Sequence, residues 1–352
     1  MIERPTSLFI HYFKRIVLII YCVISSQLLA QNQEDQEISI KRTAPIIRAS
    51  ERFKPRPKFI EFEYETFNNF SVRAKSTVIG DAGAVISQNL IRQVKLKFPL
   101  ILKKDLNLIG GFGYQHEQFK FSQFTEPGYP LFTTFEDKPL KKISSSFYLK
   151  KNLKNKKFLF VFLLNSLNGD TPQFDSFFNQ LKSSVAGILG KQVNPNKQVG
   201  YGLTFGYALG QPSVFPLFIY NNDMSLHWGL EMILPKSVKL RYSPSNKIHF
   251  YAITELQGAS YHLQDLEIEG IDKFEFRRSS VRLNLRVEKE IHDWLWAGIT
   301  AGYRIPISIF LSEPRQSRSN SIVQVDANNS TYYKFSIFIV PPARLYKRAK
   351  GS

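Results

Sequence analysis

Residues 281–290 read VRLNLRVEKE. Val281, Leu283, Leu285 and Val287 alternate with Arg282, Asn284, Arg286 and Glu288. A period of two makes a strand with one apolar and one polar face. In a soluble sandwich the aliphatic face would meet a core and the arginines would meet water. In a membrane barrel the aliphatic face meets lipid and the arginines point into the lumen. The rest of the chain decides between the two.

The chain has 352 residues, with 30 Phe and 16 Tyr against 3 Met, and a formal net charge of +18. A pI near 9.7 first suggests a nucleic-acid partner. The N-terminus argues against it. In MIERPTSLFIHYFKRIVLIIYCVISSQLLA, Lys14 and Arg15 precede an apolar run over 16–24, and Ala30 stands before the polar QNQEDQE. A basic region, a short apolar run and a small residue at the break make a secretory signal peptide over residues 1–30. The run is shorter than the roughly 20 residues of a spanning helix. Cleavage after Ala30 removes Arg4, Lys14 and Arg15 with Glu3, which lowers the charge from +18 to +16, and it removes Cys22, the only cysteine. An exported chain without cysteine has no disulfide or thiol chemistry and is expected to meet no nucleic acid. Residues 31–57 are polar and Pro-containing and read as a flexible periplasmic N-terminal tail. Residues 58–341 form one alternating domain, and 342–352 are a basic C-terminal tail.

Alternation runs through that domain. In FIEFEYETF (59–67), Ile60, Phe62 and Tyr64 oppose Glu61, Glu63 and Glu65. VGYGLTFGYAL (199–209) sets Val199, Tyr201, Leu203 and Phe205 against glycines and Thr204. LWAGITAGYRIPISIF (295–310) and YYKFSIFIV (332–340) behave alike, whereas FLFVFLL (158–164) is apolar on both faces. Bulky apolar residues on one phase, with glycine, threonine or charge on the other, carry the signature of a transmembrane barrel. The connections fall into two classes. KKDL (103–106), LKNKKF (153–158), NPNK (194–197), NNDM (221–224), SPSNK (243–247) and IHDWL (291–295) are short, whereas 79–89, 122–139, 170–180, 263–273 and 311–330 are longer. Short periplasmic turns and longer outer loops are the habit of outer-membrane barrels. Because NNDM and SPSNK share a side, the chain between them must reverse at LPKS (234–237). That rule predicts an all-β antiparallel transmembrane β-barrel of about 14 strands. Reading 224–243 as one strand and 173–190 as a loop helix gives 12.

The run FPLFIYNNDMSLHWGLEMILPKSVKLRYSPSNKIHFYAITELQGASYHL (215–263) resembles an uncharacterised outer-membrane β-barrel family of Bacteroidota-type bacteria, a domain of unknown function. The similar features are FPLFIYN, WGLE, LP followed by VKLRY, then YA and ELQGASY. SLNGD (166–170) and YGLTFGYALGQP (201–212) continue it upstream. The resemblance implies a barrel in the cell outer membrane, with no catalytic motif and no functional residues to transfer.

On the barrel reading the polar phase lines the lumen. Its acidic candidates are Glu61, Glu63, Glu65, Glu231, Glu255 and Glu288. Its basic candidates are Lys95, Lys97, Lys239, Arg241, Arg278, Arg282, Arg286 and Arg304. They suit a charged constriction that selects solutes, or equally an interior whose opposite charges pair across strands. The carboxylates 61, 63 and 65 share a face, but the interleaved Phe62 and Tyr64 add no oxygen ligands for Ca²⁺, so no metal is expected. His116, His227, His249, His262 and His292 are scattered singly and no GxSxG or HExxH motif is present, so no catalytic residues and no cofactor are expected. The expected function is a passive or weakly selective channel for small solutes. Its partners would be outer-membrane lipids and the barrel-assembly machinery. A non-conducting structural or surface-binding barrel is the alternative, ahead of a lipid-modifying barrel enzyme and a secreted β-sandwich.

Overall fold

The computed structural model describes residues 53–342 except 104, 171–176, 208–209, 265, 267, 269–272 and 315. The expected signal peptide, most of the expected tail and the basic residues 343–352 lie outside the described residues. Fourteen antiparallel strands close into a barrel. In chain order they are β1 (Ile60–Phe67 and Phe70–Lys75), β2 (Ala82–Leu102), β3 (Leu106–Ser122), β4 (Leu140–Asn152), β5 (Lys157–Gly169), β6 (Leu181–Asn194) and β7 (Lys197–Gly206). There follow β8 (Ser213–Asp223), β9 (Trp228–Leu234), β10 (Ser237–Ser245), β11 (Ile248–Leu263), β12 (Phe274–His292), β13 (Leu295–Ser312) and β14 (Val323–Ala327 and Ser330–Ile339). A break at Asn68 and Asn69 divides β1, yet both halves keep one register against β14 and against β2. That double pairing closes the sheet, so neither edge is left open.

The reversal at Pro235 and Lys236 separates β9 from β10, and 181–194 is a strand, so the count is fourteen and not twelve. All six short turns lie at one end of the barrel. Two expected loops are shorter than the sequence suggested. Residues 82–89 belong to β2, and 323–327 to β14, because each pairs with the tip of β1 or its neighbours.

The phase of VRLNLRVEKE is resolved. Leu285 is 68% exposed on the outer surface, with Leu283 and Val287 beside it, whereas Arg282, Asn284 and Glu288 are buried on the inner face. Tyr201, Leu203, Phe205, Phe335 and Ile337 continue the exposed apolar belt round the barrel. A continuous apolar surface of this extent has no place in water. No helix among the described residues is long and apolar enough to cross a membrane. Some glycines of the inner phase have a steric cause. A Cβ at Gly190 would fall 2.2 Å from the ring of Phe158, its cross-strand partner, and one at Gly302 would fall 2.3 Å from that of Tyr332. These glycines make room for inward rings, which a wet-lumen reading does not require.

The long-loop end is filled. Helix α1 (Pro130–Asp137), with proline in its first turn, buries Leu131, Phe132 and Phe135. Phe135 packs edge-on against Phe276 of β12 at 4.7 Å, and Phe132 stacks on Phe121 of β3 at 5.1 Å. Phe67, Phe70, Tyr261, Phe274 and Leu311 join them in one apolar core. Burial ahead of the helix, with the Asp81 carboxylate adding to it, pushes the Tyr129 phenol up to about 12.

The tips of β11 and β12 bend inward beside that core. Glu275 and Ser260 stand on the outward phase of this hairpin, yet Glu275 pairs with Lys182 at 2.7 Å, and Lys182 is on the inward phase of β6. Ser260 and Arg277 also donate to Glu275. Asn168 Nδ2 donates to Ser260 O at 2.9 Å, and a parallel bridge joins His262 to Gly169. The hairpin tip is therefore clasped against the inner surface of β5 and β6.

Replacing Leu285 with Arg should destabilise the barrel by about 2–4 kcal/mol if the site lies near the bilayer midplane. Urea titration of folding into lipid vesicles measures it. A change within the scatter of wild type would remove residue 285 from the lipid-facing belt.

Candidate functional site

Below the clasp and the apolar core lies a cavity of about 550 Å³. Its two walls differ in chemistry because the strands differ in inward phase. β1, β2 and β11 to β14 supply ten of the twelve charged side chains that line the cavity. On β5, β6 and β8 the lining residues are Phe160, Phe162, Leu164, Ala186, Ile188, Phe215, Leu217 and Ile219, with Ser184. This explains why residues 158–164 are apolar on both faces. One side meets the barrel exterior and the other lines the cavity.

The charged wall is extensively paired. Lys95 holds Glu63 at 2.6 Å, and Arg282 and Lys334 hold Glu65 at 2.7 and 2.8 Å. Lys58 bridges Glu61 at 2.5 Å and Glu288 at 2.8 Å. Arg278 grips Glu117 with both terminal nitrogens, a bidentate charge-assisted arrangement. Arg286 donates to Thr300 Oγ1 at 3.1 Å and stands 3.7 Å from Glu288. Glu255 accepts from Gln257 at 2.8 Å and Asn284 at 3.2 Å. Lys97 lies 5.6 Å over the ring of Tyr148. With Glu61, Glu63 and Glu65 each engaged by a cation, the glutamate ladder is an ion-pair ladder.

Lys97 and Glu288 stand outside the cavity lining, and three further candidates lie away from it. Glu231 and Lys239 pair at 2.5 Å, and Arg241 pairs with Asp223 at 2.8 Å, near the short-turn end. There the last residues of the expected tail are pinned. Arg241 donates to Phe53 O at 2.9 Å, and the Phe53 ring stacks on His227 at 5.0 Å. Arg56 reaches Glu290 at 3.1 Å, Asp293 at 2.9 Å and Pro341 O at 2.9 Å. Lys54 pairs with Asp223 at 2.5 Å. Residues 53–58 thus run across the mouth from Asp223 and His227, beside the β8–β9 turn, to Asp293 in the β12–β13 turn.

Arg304, a fourteenth candidate, has neither an ion pair nor a hydrogen bond among the described residues. It lies 4.5 and 4.3 Å over the rings of Phe67 and Phe70. Sequence reasoning missed Glu117, Lys142, Lys334 and Lys236. Lys334 was within reach, since Tyr333 and Phe335 fix the outward phase around it. Lys142 was not, because Lys141 and Lys142 flank the serine run of β4 and give no phase. The cavity is lined by Glu61, Glu63, Glu65 and Glu255 against Lys95, Lys142, Lys236, Arg278, Arg282, Arg286, Arg304 and Lys334, four acids to eight bases. The cavity is therefore more basic than the six acidic and eight basic candidates of the sequence.

Among the described residues the histidines assemble no open site. His116 shares the outward phase of Tyr114, and His262 is buried beside the clasp. Ser243 Oγ and His249 Nδ1 are 2.8 Å apart, but Ser243 is 0% and His249 1% exposed and His249 is stacked on Trp296. No substrate reaches that pair. No group of three or more His, Cys, Asp or Glu among the described residues could hold a metal ion.

The molecule is thus a closed transmembrane-type barrel with a restricted, two-sided lumen. The chain belongs to the family described as Domain of unknown function (DUF6268), whose profile matches residues 66–335. Comparison with curated proteins finds no match. Among solved structures, the COG4313 outer membrane channel from Pseudomonas putida F1 is similar at TM-score 0.39 and 10% identity, over 82% of this chain and 97% of that one. The Pseudomonas putida toluene transporter TodX gives 0.34 and 8%, over 80% and 89%. The translocator domain of autotransporter NalP from Neisseria meningitidis gives 0.33 and 8%, over 82% and 90%.

Replacing Glu65 with Gln leaves buried Arg282 and Lys334 without their counter-charge. It should cost roughly 3 kcal/mol, the lower end for breaking a buried pair, in the vesicle-folding titration. Adding Arg282→Gln should recover part of the loss. If the single substitution is silent, the tie does not hold the seam.

Proposed function

We propose that the chain is an outer-membrane β-barrel that passes small solutes through a restricted lumen. The single observation that carries this reading is the amphipathic cavity. A barrel kept only as a structural element has no need of an internal space lined by charge on one wall and apolar side chains on the other. The apolar exterior belt supports lipid as its surroundings, with insertion by the barrel-assembly machinery after export. A solute entering from the short-turn end would meet Arg56 and Lys58 first. Leaving at the other end, it would meet the clasp and the core around α1. Passage therefore requires these to move, and the resting conductance is expected to be small.

One observation favours a second reading, a non-conducting barrel with a surface-binding role: the packed apolar core at the long-loop end. Planar-bilayer recording separates the two. Purified protein should give small, infrequent current steps. Arg56→Ser with Lys58→Ser, which cuts the ties across the mouth, should raise the conductance severalfold. No current from either protein at high load would sink the channel and leave the second reading standing.

A further inference from the structure

Arg304 stands on β13 opposite Arg282 of β12 and Ser330 of β14. It is 7% exposed and lines the upper part of the cavity. The Phe67 and Phe70 rings stabilise its charge, but they accept no hydrogen bond in the guanidinium plane, where all its N–H bonds lie. In that plane Nε and Nη2 are buried and meet no acceptor. Ser330 Oγ and Arg282 Nε are also buried without partners. Buried charges are ordinarily paired, and like charges directly opposite on neighbouring strands repel. Three neighbouring positions on adjacent strands thus hold four buried polar atoms without partners, and an anion beside Arg304 would supply the acceptor its guanidinium lacks.

Two further features describe that anion. The cavity carries eight bases against four acids, and Lys142 among them makes no ion pair or hydrogen bond to a described residue. The facing wall, with Phe162, Leu217 and Ile219, is apolar. An inorganic anion would leave that wall wetted, and a hydrocarbon would leave Arg304 uncompensated. We propose that the cavity binds small organic anions that join one carboxylate to an apolar body. The carboxylate lies at Arg304, whose fork it matches, and the body lies against Phe162, Leu217 and Ile219. That such anions are the transported solute rests on the channel reading above, but the binding itself does not.

The test is calorimetric titration of the full-length protein in detergent, against detergent alone, with benzoate, acetate and benzyl alcohol. Benzoate should bind saturably, at least about tenfold tighter than acetate, which lacks the body, or benzyl alcohol, which lacks the charge. Arg304→Gln should weaken benzoate about tenfold and leave benzyl alcohol unchanged. Leu217→Asn should weaken benzoate and leave acetate unchanged. Heat-dependent electrophoretic mobility reports whether each variant is folded. Should Arg304→Gln not fold, Lys142→Gln replaces it, with a loss of about threefold expected from removing one charge. Benzoate no tighter than benzyl alcohol, or unchanged in every folded variant, overturns the site. Binding without bilayer current keeps the site and removes the channel. Current without binding keeps the channel and overturns the site.

Discussion

The seam between the first and last strands is the constraint on which the rest depends. In hydrocarbon no unpaired backbone amide is tolerated, so a spanning sheet must close. Here β1 does so by pairing β14 on one side and β2 on the other in a single register, across its break at Asn68 and Asn69. That register also fixes chemistry. It places Glu61 opposite Lys95 and Glu65 opposite Lys334, so the inward carboxylates of β1 meet cations from both neighbours. A slip of one residue would turn three glutamates to lipid and Phe62 and Tyr64 inward. The backbone closure and the ion-pair ladder therefore specify the same register.

The interior shows what a barrel does with surplus circumference. Small barrels fill their lumen with side chains, and wide ones leave it to water. At fourteen strands this chain does both, in tiers. The long-loop tier is packed by α1 and rings from β1, β3 and β12, with the tip of β11 and β12 drawn across to β5 and β6 by Glu275 and Lys182. The tier beneath keeps the cavity. Its boundary runs through Phe67 and Phe70, which belong to the apolar core above and carry Arg304 on their rings.

Much of the fold was legible in the sequence because lipid imposes a simple rule. Around the middle of the strands the outward phase is apolar, as in Leu283, Leu285 and Ile299, and the short turns mark one end. The interior was less legible, since inward residues answer to partners far away in the chain. Glu65 needs Arg282, 217 positions on, and no local pattern announces it. The apolar inner wall hid in residues 158–164, where both phases are greasy and alternation is silent. The clasp hid more deeply. Glu275 and Ser260 sit on the phase that faces outward elsewhere on their strands, and only the inward bend of the hairpin buries them against β6. The pinned residues 53–57 read as tail because their partners lie on strands and turns far along the chain.

Arg304 is where these levels meet. By alternation it belongs to the lumen, and by packing it belongs to the lower surface of the apolar core. Elsewhere on this wall, cations that stand near one another share a carboxylate, as Arg282 and Lys334 share Glu65. Arg304 has only aromatic faces, which hold the charge in place without satisfying its hydrogen bonds. A core built for stability alone would place an apolar residue there, since an uncompensated buried guanidinium is worse than a well-packed aliphatic side chain. Keeping the arginine, next to Arg282 and above a cavity already rich in base, makes sense for a site whose last acceptor arrives from outside the chain.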